Sequence, residues 1–221
     1  MRFIKVTDSE PVAKAIAQKL LAALADDQHV LWLVPGGSAI AVAARVSQLL
    51  SGVNLQCLSM TLTDERYGPV GHADSNWQQL KAAGFALPGA HLVPVLIGKD
   101  LPSTTEAFAQ QLAALLHNAS YSLGLFGIGP DGHTAGILPG SLAVTSSALA
   151  ASYDAGNFQR ISMTPLAIAK LDAAVVYATG EAKQPVLDAL EQSLSLDKQP
   201  AQSLKTISEL NIYNDYKGVR K

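Results

Sequence analysis

Cysteine is almost missing from this chain: Cys57 is the single one in 221 residues. No internal disulfide can form, and such cysteine usage fits a reducing compartment. Cys57 falls in the apolar run Leu55–Met60, which reads as a buried structural thiol rather than a nucleophile. Charge is sparse, at 15% of residues, and nearly balanced at a net −2. That excludes the broad basic surface with which proteins hold nucleic acid or anionic membrane, so any phosphate site must be built locally. No apolar run is long enough to cross a membrane, and Met1–Asp8 is too short and too charged for the core of a secretion signal. A cytoplasmic protein is expected, without nucleic-acid or membrane partners, either a monomer or a weak homo-oligomer. Repeats, low-complexity linkers, a Walker motif and G-x-S-x-G are also missing. The histidines are scattered, and His133 has no partner four residues on, so no metal site is expected.

Apolar residues, by contrast, are plentiful at 48%, enough for one sizeable core. Helical and strand patterns alternate to the end, which predicts one α/β domain over residues 1–221 with a mainly parallel sheet. Val12, Ile16, Leu20 and Leu24 share one helical face after Pro11. Strands are expected at Val30–Val34, Leu55–Leu62, Leu92–Ile97, Tyr121–Phe126, Arg160–Met163, Ala173–Ala178 and Ile207–Tyr213. Helices are expected over Ala39–Leu50, Trp77–Ala83, Thr164–Lys170 and Gln184–Leu194. A further helix, capped at Ser103-Thr104-Thr105-Glu106, should run to about His117.

The chain is organised around Tyr121–Gly140. Its apolar first half suits a buried strand, which ends in a loop holding Gly127, Gly129 and Gly132. Asp131 and His133 lie two apart in that loop, at the carboxyl end of the strand, where open α/β sheets bind their ligands. A histidine can take a proton from water, and a neighbouring carboxylate can fix its tautomer. Gly127-Ile128-Gly129-Pro130-Asp131-Gly132 also matches the dinucleotide pattern G-x-G-x-x-G. That pattern must open a long crossover helix, and Pro139 forbids one here.

Three other segments place anion-binding chemistry at strand ends. Pro35-Gly36-Gly37-Ser38 offers free N–H groups and a hydroxyl at a helix start. Thr63-Asp64-Glu65-Arg66 presents a guanidinium suited to phosphate or carboxylate. Thr179-Gly180-Glu181-Ala182-Lys183 puts a lysine in a first helical turn, where the helix dipole disfavours a cation unless an anion joins it. Arg160 is a further candidate cation. Together these suit a small phosphorylated substrate worked on by one general base.

Those blocks, with Asp74-Ser75-Asn76 and Gly127–Gly140, resemble in order the segments of the 6-phosphogluconolactonases, relatives of the glucosamine-6-phosphate deaminases. The resemblance spans residues 35–183, and G-x-G-x-D-G-H-T-A is its most specific part. It implies a three-layer, Rossmann-like fold shared with sugar-phosphate isomerases and deaminases. It also implies hydrolysis of 6-phosphogluconolactone in the oxidative pentose phosphate pathway, without metal or organic cofactor. His133 would then be the general base and Asp131 its orienter, with Gly37, Ser38, Arg66, Arg160 and Lys183 binding substrate and phosphate. Two positions depart from the pattern: Ala39 where the family commonly has Thr, and Gly136 where it often has Ser. Arg66, in place of an aromatic residue, and Ile137-Leu138-Pro139, in place of Asn-Glu-Pro, favour lactonase over deaminase. An amino-sugar phosphate deaminase or isomerase, and a non-catalytic sugar-phosphate sensor, are the competing readings.

Overall fold

A parallel sheet must be covered on both faces, and the apolar runs of this chain meet that demand. The computed structural model describes residues 1–26 and 28–220. The elements begin with β1 (Arg2–Lys5), α1 (Glu10–Ala25), β2 (Val30–Val34), α2 (Ile40–Leu49), β3 (Leu58–Leu62) and β4 (Asp64–Arg66). Then come α3 (Asn76–Ala82), β5 (His91–Val93), α4 (Leu101–Asn118), β6 (Tyr121–Phe126), α5 (Leu142–Thr145) and β7 (Ala150–Asp154). The chain finishes with β8 (Gln159–Met163), α6 (Pro165–Ile168), β9 (Ala173–Tyr177), α7 (Gln184–Ala189), β10 (Glu209–Asn214) and β11 (Val219–Arg220).

Eight strands form one sheet in the order β11-β1-β10-β9-β6-β2-β3-β5, and every pairing is parallel. Every residue of β2 is buried, as a strand sandwiched between two helical layers requires. This is the mainly parallel α/β fold expected from the alternation, in the three-layer form that the resemblance implies. α1 packs on α2 and touches β2 and β9. From β2 the chain adds β3 and β5 on one side, then returns to place β6 on the other. The direction of winding therefore reverses between β2 and β6, and a crevice opens at their carboxyl ends.

The structure adds a second sheet that the apolar pattern did not reveal, with order β4-β8-β7 and both pairings antiparallel. Thr63–Arg66 is thus not simply a loop closing β3: Asp64–Arg66 is itself a strand, pairing Asp64 with Ser162 and Arg66 with Arg160. Arg160 likewise belongs to an antiparallel strand. Other expectations shift less. β3 begins at Leu58 rather than Leu55, β5 stops at Val93, and α7 ends at Ala189 rather than Leu194. α4 starts earlier than the Ser-Thr run suggested, because Asp100 is its cap and accepts from the Ser103 N–H at 2.8 Å. Cys57 lies before β3 and is only half-buried.

Glu65 joins the two sheets to α3. Its side chain is fully buried, and its carboxylate accepts from the N–H groups of Asn76 (2.6 Å), Arg66 (2.7 Å) and Trp77 (3.1 Å) and from the Ser75 hydroxyl (2.9 Å). Burial pushes this carboxyl above the usual glutamate range, and the four donors pull against that rise. They also satisfy the first turn of α3, which would otherwise present unpaired N–H groups. Glu65→Gln replaces half of that acceptor with an amide that cannot accept. We expect a loss of about 1.5–3 kcal/mol in urea unfolding, the range for a hydrogen bond to a charged partner. A loss below about 0.5 kcal/mol, within ordinary surface scatter, would show that Glu65 does not hold these elements together.

Candidate active site

The crevice at the carboxyl ends is a cavity of about 260 Å³. Pro35, Gly36, Gly37 and Ser38 enter it from the end of β2, and Gly127–Pro130 and His133 from the end of β6. Lys183 reaches it from the segment after β9, and Asp64, Arg66 and Arg160 from the antiparallel sheet. Of the residues singled out from the sequence, Gly37, Ser38, Arg66, His133, Arg160 and Lys183 all line this one cavity. Asp131 stands behind His133 rather than in the wall.

The pair is built by a tight loop. Asp131 Oδ1 accepts from the His133 backbone N–H at 3.2 Å and lies 2.6 Å from His133 Nδ1. With Nδ1 donating to the carboxylate, the ring's lone pair sits on Nε2. Burial would raise the Asp131 carboxyl. The His133 N–H and the charge of the imidazole outweigh it and hold Asp131 below the usual aspartate range. The ionised acceptor is therefore the form present at neutral pH. The His133 side chain is 33% exposed and that of Asp131 47%, so water reaches both. Gly129 makes the arrangement possible: a Cβ there would overlap His133 Cε1 and Nδ1 and press on Asp131.

The rest of the loop is clamped from the second sheet. Gly136 N–H donates to Ser162 Oγ at 3.1 Å, and its carbonyl accepts from the Tyr153 hydroxyl. A Cβ at 136 would stand 2.8 Å from Asp64 Cβ and 3.0 Å from Ser162 Cβ. Glycine here is thus a packing requirement of this chain, which accounts for its departure from the family pattern. Ala39 is buried and does not line the cavity, so the missing hydroxyl there leaves the wall unchanged. Ala135 does line it, in the left-handed region at φ 50° that is uncommon for residues with a Cβ.

The three cations differ in their surroundings. Arg66 donates through Nη1 to the Asp74 carbonyl at 2.9 Å and lies 5.3 Å over the Phe158 ring. Arg160 faces Asp64 Oδ2 at 3.5 Å. Lys183 closes a 3-10 turn at the start of α7, and burial lowers its ammonium from the usual lysine range while the charge of Asp215 raises it. Asp215 also accepts from the Gly180 N–H at 3.0 Å, fixing the turn that carries Lys183. Gly37–Ala39 is a 3-10 turn leading directly into α2, so Gly37 and Ser38 line the cavity at a helix start.

Sequence reasoning passed over two wall residues, Asp64 and Asn76. Asn76 is buried, and its Nδ2 donates to the Asp64 carbonyl at 3.0 Å. Both lie in motifs noticed for other members, Arg66 and the Asp74-Ser75-Asn76 block. Phosphate binding calls for cations, so neither an acid nor an amide stands out in the sequence.

With this geometry in place, the comparisons with known proteins decide the family. The sequence profile described as glucosamine-6-phosphate isomerases/6-phosphogluconolactonase matches residues 8–212. The chain belongs to that family. It is 31% identical over 141 residues to a 6-phosphogluconolactonase of Caulobacter vibrioides, a match covering 59% of this chain and 61% of that relative. It thus spans about three fifths of that protein's length. A 6-phosphogluconolactonase of Neisseria meningitidis is 29% identical over 195 residues, covering 83% of this chain and 84% of its own. In fold the chain is similar to the crystal structure of 6-phosphogluconolactonase from Thermotoga maritima, with TM-score 0.79, 19% identity, and 99% and 98% of the two chains covered. Among the described residues no helix is long and apolar enough to cross a membrane.

The closeness of Gly129 to the pair makes a direct test. Gly129→Ala should leave the fold intact, since the residue is in a loop, yet displace the imidazole. Activity is expected to fall by at least about a hundredfold, the low end of what a positioned base contributes, with the melting temperature nearly unchanged. Activity within about threefold of wild type would mean that the observed Asp131–His133 geometry is not the working one.

Proposed function

We propose that this chain hydrolyses 6-phospho-D-glucono-1,5-lactone to 6-phosphogluconate, the lactonase step of the oxidative pentose phosphate pathway. The observation carrying this reading is a carboxylate-oriented histidine opening onto the same cavity as three cations and a glycine-rich helix start. Family membership and the names of the relatives support it.

In this mechanism His133 Nε2 takes a proton from water as the oxygen attacks C1 of the lactone. The carbonyl oxygen becomes an oxyanion, stabilised by a neighbouring N–H group or cation. The bond from C1 to the ring oxygen then breaks, and that oxygen takes the proton from the imidazolium. The acid formed at C1 ionises to a carboxylate and releases its proton to solvent. Asp131 keeps the imidazole in the tautomer that can start the cycle and steadies its charged form. Gly37, Ser38, Arg66 and Lys183 hold the phosphate, which fixes the lactone against His133. Arg160, its charge already shared with Asp64, faces the carbonyl end. A positioned base supplies roughly 10²–10⁴ in rate, sufficient for an activated ester that hydrolyses slowly in water unaided. The chain acts as one catalytic unit in the cytoplasm and uses neither metal nor organic cofactor.

An amino-sugar phosphate deaminase would use the same fold and histidine. Arg66 on the wall, where the deaminase pattern has an aromatic residue, favours the lactonase. Release of ammonia from glucosamine 6-phosphate would reverse that choice, and absence of any turnover would favour a sensor. The principal test is His133→Ala, assayed with freshly made 6-phosphogluconolactone. The variant should fold normally and bind 6-phosphogluconate, yet retain under a tenth of wild-type turnover, given the contribution expected of a base. Higher retention would remove His133 from the base role.

A further inference from the structure

Resting on the lactonase reading, we infer that Asp64 is a specificity-determining residue that discriminates against the product's carboxylate. Hydrolysis turns an uncharged ester into an anion at C1. A cavity walled by Arg66, Arg160, Lys183 and helix-start N–H groups would hold that extra negative charge more tightly than the substrate. Such an enzyme would be clogged by its own product.

Asp64 is the acid placed to offset this. It lines the cavity and is buried, 4% exposed. It is held in place from three directions: Thr63 Oγ1 donates to Oδ1 at 3.0 Å, Asn76 Nδ2 approaches Oδ2 at 3.4 Å, and Arg160 Nη1 at 3.5 Å. Its Cβ and Oδ2 abut Gly136, three residues from His133, so it stands beside the loop that delivers the base. The other acid near the base, Asp131, is turned to His133 Nδ1, behind the ring. A fixed negative charge in this wall costs an uncharged lactone carbonyl little and a carboxylate much more, since burial weakens screening.

Orienting Arg160 is the competing role for Asp64, and the two roles separate in measurement. Asp64→Asn keeps the shape and removes the charge. Product release predicts that inhibition by 6-phosphogluconate strengthens by about tenfold relative to KM, about 1.4 kcal/mol. A purely orienting role predicts that KM and the product's Ki both rise together. Should the variant not fold, wild-type binding still decides. Glucitol 6-phosphate carries the same phosphate and hydroxyls without the carboxylate, and it should bind at least as tightly as 6-phosphogluconate. Binding of 6-phosphogluconate that is tenfold tighter, or a parallel rise of KM and Ki in Asp64→Asn, would overturn the inference. The wild-type binding comparison does not depend on turnover, so loss of the lactonase reading would register separately, as failure of the wild-type assay.

Discussion

An all-parallel sheet delivers the carboxyl end of every strand to one edge, and the site depends on that constraint. β2, β6 and β9 are neighbours in the sheet though separated by scores of residues in sequence. Their following segments supply Gly37 and Ser38, His133, and Lys183. Each is followed by a tight turn: 3-10 turns after β2 and β9, which lead into α2 and α7, and the Asp131–His133 loop after β6. The turns bring Gly37, Ser38, His133 and Lys183 to the wall of the cavity. The sheet's apolar strands provide the stability, and the rim is left to chemistry.

The second sheet performs a different task. β4 carries Asp64 and Arg66 and β8 carries Arg160 and Ser162, so charged groups stand opposite one another on a hydrogen-bonded ladder. That ladder sets their separation more firmly than a loop could. It is anchored at one side by Glu65 to α3 and at the other by Tyr153 and Ser162 to the loop after His133. His133 and the charges are thereby fixed relative to each other, which is what rate enhancement by positioning requires.

Much of this was legible in the sequence. β2 follows its apolar run to the residue, and the loop after β6 was marked by glycines around an acid and a histidine. Gathering of Gly37, Ser38, His133 and Lys183 in one cavity follows from the parallel topology, which alternation of elements predicts, whereas Arg66 and Arg160 reach it from the second sheet. The second sheet was hidden for a physical reason: D-E-R carries no apolar residue to show a period, and the strand expected at Arg160–Met163 pairs with it antiparallel across about ninety-six residues of sequence. β1, R-F-I-K, and β7, A-A-S-Y-D, are short and weakly patterned. Asp64 escaped because its value lies in opposing the charges around it, which is visible only once those charges are seen together.

The central claim is that cations around one cavity bind phosphate so that water activated by His133 can attack the lactone. The most direct measurement compares kcat/KM on 6-phosphogluconolactone and on unphosphorylated gluconolactone, in wild type, Arg66→Ala, Lys183→Ala and the double variant. One exposed ion pair is worth only about 0–1 kcal/mol, so selectivity must come from convergent cations. The account predicts a wild-type preference for the phosphorylated lactone of at least about a hundredfold, about 2.8 kcal/mol. Each substitution should erode that preference, non-additively in the pair, while the slow reaction of the unphosphorylated lactone barely changes. Equal losses on both substrates would contradict it and assign these cations to the oxyanion or the fold.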